Sequence, residues 1–352
     1  MKNRIMFVSR TLSGGGAERF VANVASYLAD NGNDIYLLLY ERKENEYPLS
    51  GKVKVLEMPQ EAGKMKRIVS MKKIFKNCEP DIVIPFIDTV VLCAYFAQRF
   101  LNTRFVYTVR NSPWDEKENR LVKIMKSTMI RNADFIMLQN EEQAMFFKDK
   151  FKNKEIVIPN PVAPKFICTS KTHYEDAIKN IIYVGRLEEQ KNIPLLLEVF
   201  EKVHRSFPNA TLKIYGEGVM KNQIKKRISE LGLENSCYLC GRSGTIENEL
   251  QKADLFILPS NYEGMPNSLI EAMAVGVPCI SSDCRTGPKS LIKQHISGLL
   301  FKTKDSKSLE DNMVWALHHP LEMADYGRNA RKYILDNLTV DKIVVRILEM
   351  LK

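Results

Sequence analysis

The sequence predicts two α/β domains in tandem, each built on a parallel sheet with helices on both faces. Three observations carry this. The 352 residues exceed what one hydrophobic core usually serves, so two cores are expected. Apolar runs of strand length alternate with amphipathic helical stretches, the pattern of sheets buried on both sides. Near mid-chain, Pro159-Asn-Pro-Val-Ala-Pro164 places three prolines in six residues, which stops regular structure and marks a boundary.

In the first half, Arg4–Ser9, Asp34–Tyr40, Asp81–Phe86, Arg104–Val109 and Asp134–Leu138 read as strands, with Glu155–Ile158 following. Helical stretches such as Ala17–Ala29 and Val90–Phe100 separate them. Ligands of parallel sheets gather at the strands' C-terminal ends, so the loops there are the candidate binding sites. After strand one, Ser13-Gly14-Gly15-Gly16-Ala17-Glu18 lets the backbone approach a phosphate or sugar ahead of a helix N-terminus, although the Gly-x-Gly-x-x-Gly spacing is absent. After Arg104–Val109, Arg110 and Asn111 would project from the loop, and Trp114 offers a flat face of the kind sugars stack on.

Two stretches are basic and amphipathic. Lys64–Lys76 has apolar positions 65, 68, 69 and 75 among six cations, and 116–131 sets Leu121, Ile124, Met125 and Thr128 inside with Arg120, Lys123, Lys126 and Arg131 outside. Such helices either pack their stripe on a sheet or face anionic lipid.

In the second half Asn180–Gly185 reads as a strand followed by two cations, Arg186 and Lys191, five residues apart. Arg186 can grip phosphate oxygens with its planar fork and Lys191 can act as a point charge. Further strand ends carry Gly216, Gly218, Gly241 and Arg242. Asp254–Leu258 is a buried strand whose end feeds a helix opening at Pro266 and stopping at Gly276. The loop and first turn, Gly264, Met265, Pro266, Asn267, Ser268 and Leu269, present backbone N–H groups at every position but Pro266, and a helix dipole suited to a diphosphate. Two carboxylates flank that turn, Glu263 in the loop and Glu271 in the helix.

Glu263-Gly-Met-Pro-Asn-Ser-Leu-Ile-Glu271-Ala resembles the Glu-x7-Glu signature of retaining nucleotide-sugar glycosyltransferases of the GT-B fold, glycosyltransferase family four. Gly15-Gly16-Ala-Glu18, Pro159-Asn-Pro-Val162, Gly185-Arg186-Leu with Lys191-Asn192, Gly216-Glu-Gly218, Gly241-Arg242, Gly287-Pro288 and Gly298–Phe301 continue the likeness in order. The resemblance implies two Rossmann-like domains facing each other across a deep cleft. Residues 1–165 would hold the acceptor and 175–338 the donor, with helix 339–352 crossing back to the first domain. It implies that Arg186 and Lys191 neutralise the donor diphosphate, that Glu263 lies by the donor sugar and that Glu271 takes ribose hydroxyls. Gly15, Gly16, Gly185, Gly216, Arg242 and the turn from Gly264 to Leu269 would complete the donor site. Glu18, Arg110, Asn111 and Trp114 would stand on the acceptor side. Many members carry a histidine near Arg110; this chain has none there, and no histidine role is carried over.

The implied reaction moves a hexose or N-acetylhexosamine, from a UDP sugar ahead of a GDP sugar, to a hydroxyl of a growing or polyprenyl-pyrophosphate-linked glycan in surface polysaccharide assembly. No metal and no cofactor beyond the nucleotide sugar are expected. Net charge is +10, of which residues 1–165 contribute 27 Lys+Arg against 19 Asp+Glu, or +8. That suits a phosphorylated acceptor and the inner face of the cell membrane, with a cytoplasmic location; nucleic acid is not expected, because basic and aromatic residues do not interleave. No run reaches the roughly 18 apolar residues of a membrane span. Seven cysteines, among them Cys237-Tyr-Leu-Cys240 without a second pair, read as reduced thiols. A sugar-nucleotide epimerase on the same architecture, and a noncatalytic lipid or nucleic-acid binder, remain as alternatives.

Overall fold

The structure, a computed structural model, describes residues 3–60, 63–114, 120–148, 151 and 154–351. The chain forms two compact units, Met1–Pro161 with Val340–Lys352, and Val162–Thr339.

The first unit runs β1 (Arg4–Ser9), α1 (Gly16–Asp30), β2 (Asp34–Leu39), β3 (Lys54–Glu57), α2 (Lys64–Cys78), β4 (Ile82–Pro85), α3 (Asp88–Gln98), β5 (Arg104–Thr108), α4 (Arg120–Asn132), β6 (Phe135–Leu138), α5 (Glu141–Phe147) and β7 (Glu155–Val157). Its seven parallel strands lie in the order β3-β2-β1-β4-β5-β6-β7. The order reverses between β1 and β4, so right-handed crossovers put α1 on one face and α2 to α5 on the other. Beneath the latter helices Met71, Phe75, Tyr95, Met129, Ile130 and Phe147 bury against Val83, Phe105 and Ile136.

The second unit continues with α6 (Pro164–Cys168), β8 (Asn180–Val184), α7 (Ile193–Ser206), β9 (Thr211–Tyr215), α8 (Lys221–Glu230), β10 (Cys237–Gly241), α9 (Ile246–Lys252), β11 (Leu255–Leu258), α10 (Asn267–Val275), β12 (Cys279–Ser282), α11 (Pro288–Leu291), β13 (Leu299–Phe301), α12 (Ser306–His318) and α13 (Pro320–Asn337). The last helix, α14 (Val340–Leu351), belongs to the first unit, where Arg104 donates to the Leu351 carbonyl at 3.1 Å. The six parallel strands of the second sheet lie in the order β10-β9-β8-β11-β12-β13, reversing between β8 and β11. The segment before β8 is tied in by a buried ion pair, Lys171 to Asp254 at 3.3 Å, each side chain 6% exposed. Asp254 also accepts from the Lys179 and Asn180 backbone N–H groups at 3.1 and 2.9 Å.

Several elements differ from expectation. Edge strand β3 carries only two apolar residues, too few to read as a strand alone. Pro266 caps α10 from outside, at φ −75° and ψ 110°, and Asn267 opens the helix. The stripe assigned to Lys64–Lys76 is rotated: Met71 and Phe75 are buried, whereas Met65 is 75% and Val69 53% exposed. In α4 the buried residues are Met129 and Ile130, while Leu121 is 72% and Ile124 57% exposed and Thr128 is also exposed. Helical periodicity located the stripes but not which of two apolar faces meets the sheet. Residues 116–119 of the expected second basic helix lie outside the described residues. Cys168 and Cys240 are exposed rather than core thiols, and all seven cysteines are free.

Candidate active site

The reversal between β8 and β11 places two loops side by side at the carboxyl edge of the second sheet, the position where open α/β sheets bind ligands. Loop 185–192 follows β8 and loop 259–266 follows β11. Four hydrogen bonds stitch them together. Asn261 donates through N–H to Gln190 at 2.8 Å and through Nδ2 to Glu189 at 3.1 Å; Gln190 Nε2 donates to the Tyr262 carbonyl at 2.8 Å. The fourth is ionic: Lys191 Nζ donates to Glu263 Oε1, with the lysine side chain 10% and the carboxylate 6% exposed. The structure joins Lys191 and Glu263 as direct partners, a pairing that their positions in the sequence do not indicate.

Glu263 is held further by residues that sequence reasoning passed over. Ser260 Oγ donates 2.6 Å to the same Oε1, and Thr286 Oγ1 donates to the Glu263 carbonyl. Ser282 Oγ and Cys284 Sγ both donate to the Ser260 carbonyl, at 2.6 and 3.2 Å. Burial pushes the Cys284 thiol up to about 12, so it stays protonated as a donor. The available signal was the small polar run Ser281-Ser282 with Thr286, at the end of a strand that would otherwise be apolar.

Arg186 is exposed and does not reach Glu263. Its fork donates to Glu188 at 3.0 Å and Gln190 at 3.4 Å, which keeps the guanidinium on the loop beside Lys191. Tyr183, fully buried, donates to the Arg186 carbonyl at 3.1 Å and fixes that turn from below; burial, with Glu263 adding to it, holds its hydroxyl well above the ordinary phenol range. Gly185 and Gly216 are required by close approach: a Cβ on Gly216, at φ +145°, would lie 1.8 Å from the Gly185 carbonyl oxygen. Gly216 N–H donates to the Gly241 carbonyl at 2.7 Å, and the neighbouring Arg242 side chain is exposed.

The first turn of α10 follows the Glu263 loop directly. Gly264, Met265 and Pro266 are buried, Asn267 and Ser268 half-buried, and Leu269 fully buried against the core. Its leading N–H groups have no carbonyl inside the helix to bond, which leaves the positive end of the dipole at this edge. Glu271 is buried on the same helix. Lys191, Glu263 and the N-terminus of α10 thus lie together at one sheet edge, with Arg186 on the Lys191 loop and Glu271 buried further along the helix.

At the matching edge of the first unit, Gly15 caps α1 in extended conformation, Gly16 opens it, and Glu18 folds back so that a Cβ on Gly15 would meet its carboxylate at 2.1 Å. The residues after β5 depart from expectation. Arg110 does not project: its guanidinium sits 4.3 Å from the Phe20 ring and 4.6 Å from the Phe86 ring. Burial lowers it to about 9, which leaves it cationic at neutral pH. Asn111 is exposed, and Trp114 packs edge-on to Phe146 with centroids 5.0 Å apart.

Two Rossmann-like units with these strand-end loops define a GT-B protein. Comparison with known proteins agrees: residues 14–166 match the model described as Glycosyltransferase Family 4 and residues 171–333 the model described as Glycosyl transferases group 1. The chain belongs to glycosyltransferase family four and is a glycosyltransferase. It is 32% identical over 65% of its length to a glycosyltransferase of Methanocaldococcus jannaschii, of which it spans 62%. It is 24% identical over 95% of its length, and 92% of the relative's, to an α-1,4-N-acetyl-D-galactosaminyltransferase of Campylobacter jejuni whose name specifies a diphospho-undecaprenol-linked GalNAc acceptor. Among solved structures, Anabaena HepE in complex with UDP superposes with TM-score 0.81 at 18% identity, covering 100% of this chain and 99% of that one. No helix among the described residues is long and apolar enough to cross a membrane.

Proposed function

We propose that the protein is a retaining, metal-independent transferase that moves a hexose or N-acetylhexosamine from a nucleoside diphosphate sugar, UDP in preference to GDP, to a hydroxyl of a polyprenyl-diphosphate-linked glycan in surface polysaccharide assembly. The observation that carries this reading is the Lys191–Glu263 pair beside the α10 N-terminus, with Arg186 on the same loop. As the sugar–phosphate bond breaks, charge grows on the departing diphosphate. Lys191, Arg186 and the first-turn N–H groups of Asn267, Ser268 and Leu269 stand on adjoining loops to meet it, which lowers the barrier. Glu263, whose Oε1 is occupied by Lys191 and Ser260, faces the donor sugar with its other oxygen, and Glu271 takes the ribose hydroxyls. The names of the Campylobacter relative and the UDP complex of HepE support the donor and acceptor classes.

The test is incubation with a panel of UDP and GDP sugars, with and without a diphospholipid-linked glycan, in chelator. Transfer that depends on both substrates, with the anomeric configuration kept in the product, is expected. Epimerised nucleotide sugar formed without acceptor would replace this reading by the epimerase alternative.

The membrane's inner face is the proposed working surface and the cytoplasm the proposed location. Helices α2 and α4 carry ten Lys and Arg residues and no Asp or Glu. Met65, Val69, Leu121 and Ile124 stand exposed among those cations, a combination that suits the headgroup boundary of an anionic bilayer. Flotation on phosphatidylglycerol vesicles is expected, and Leu121→Ser with Ile124→Ser should weaken partitioning about tenfold while leaving the melting temperature unchanged. Equal flotation of the double variant would refute this surface.

A further inference from the structure

We propose that the strand ends of β5, β6 and β7 form a recess for a glycosyl phosphate of the acceptor, read by Arg110, Ser112 and Gln139. The assignment to the acceptor rests on the transferase reading above; the recess itself does not.

Arg110 and Gln139 occupy equivalent positions on neighbouring strands, each two residues beyond the paired Thr108 and Met137. Both donate to Asn160 Oδ1, at 3.3 and 3.1 Å. Gln143 stiffens the cluster, accepting from the Gln139 N–H at 2.7 Å and donating to the Asn111 carbonyl at 2.9 Å. Within this small volume three buried atoms, Arg110 Nε, Ser112 Oγ and Gln139 Oε1, have no hydrogen-bond partner. More than about nine in ten buried polar groups are satisfied in native proteins, so three orphans in one cluster at the ligand edge of a parallel sheet call for an occupant.

Charge narrows the choice. Among the described residues no carboxylate pairs with Arg110, and the rings of Phe20 and Phe86 compensate only part of the desolvation. Water could satisfy the dipoles but would leave the cation unmatched. One fixed cation, two donors and one acceptor match a phosphoryl oxygen with an adjacent sugar hydroxyl. The donor's diphosphate is already served by Arg186 and Lys191 in the other unit, which leaves the phosphate of the acceptor.

N-acetylglucosamine 1-phosphate titrated into the full chain without donor should bind, with inorganic phosphate competing. Ser112→Ala with Gln139→Ala should weaken binding about tenfold. Arg110→Met should abolish it yet melt at a higher temperature than the wild type, because a half-buried guanidinium with an unpartnered buried Nε gives way to an apolar stem. In transfer assays the double variant should raise KM for a phosphorylated acceptor, leaving KM for an unphosphorylated analogue and for the donor unchanged. Undiminished titration in both variants, a lower melting temperature for Arg110→Met, or a rise in donor KM alone would overturn the proposal. A wild type that binds the sugar phosphate but transfers nothing would refute the transferase reading and spare the recess.

Discussion

Lys191→Ala is expected to lower kcat by about 10² to 10³, the usual cost of removing one preorganised donor from a developing oxyanion. Lys191 is nearly buried, its loop is pinned to the Glu263 loop by Asn261 and Gln190, and its ammonium sits on Glu263 Oε1 at the foot of α10. A flexible surface lysine would pay rotamer entropy on meeting the diphosphate; this one has already been ordered by folding. The substitution also strips the counter-charge from a buried carboxylate, leaving Ser260 as its partner, so some loss of stability accompanies the loss of rate. Steady-state kinetics and thermal melts on the same preparation separate the two effects. A Lys191→Ala protein that turns over donor within threefold of the wild type would remove Lys191 from the chemistry.

The second large effect is on stability. Asp254→Ala should destabilise the second unit by about 3–5 kcal/mol, the range found when one member of a buried pair is removed. Asp254 neutralises Lys171 and accepts two backbone N–H groups and the Asn180 side-chain amide, and none of those donors gains another carboxylate when it is truncated. Because this clamp holds the entry to β8, the loss should appear as a transition about 10 °C lower for that unit. Lys171→Met, which removes the other charge but fills the space, should cost less than Asp254→Ala. Equal melting of Asp254→Ala and wild type would show that the pair is neutral to folding.

The parallel sheets were legible because β1, β4, β8 and β11 are apolar runs with turn residues at their ends, and tight glycines such as Gly185 and Gly216 announce close backbone approach. The residues proposed for the donor side could be singled out for a related reason. A cation, a glycine or a carboxylate just past a buried strand has few structural roles there. What the sequence could not show is which groups share an atom. Ser260 reaches the Glu263 carboxylate within its own loop, Thr286 bonds the Glu263 carbonyl from a loop 23 residues on, and Cys284 holds the Ser260 carbonyl; a lone serine or threonine in a loop carries no pattern. Arg110 misled for the opposite reason: an arginine after a strand reads as exposed, and only the positions of Phe20 and Phe86 reveal that it is enclosed. The exposed faces of α2 and α4 escaped because each helix has two apolar sides and periodicity does not choose between them.

On the proposed reading, a nucleoside diphosphate binds at the strand-end loops of the second unit through Arg186 and Lys191. Calorimetric titration of UDP into wild type and into the Arg186→Ala, Lys191→Ala protein tests it most directly. Binding by the wild type that weakens at least about a hundredfold in the double variant, with the melting curve still cooperative, is the predicted result. Equal affinity in the two proteins would contradict the account.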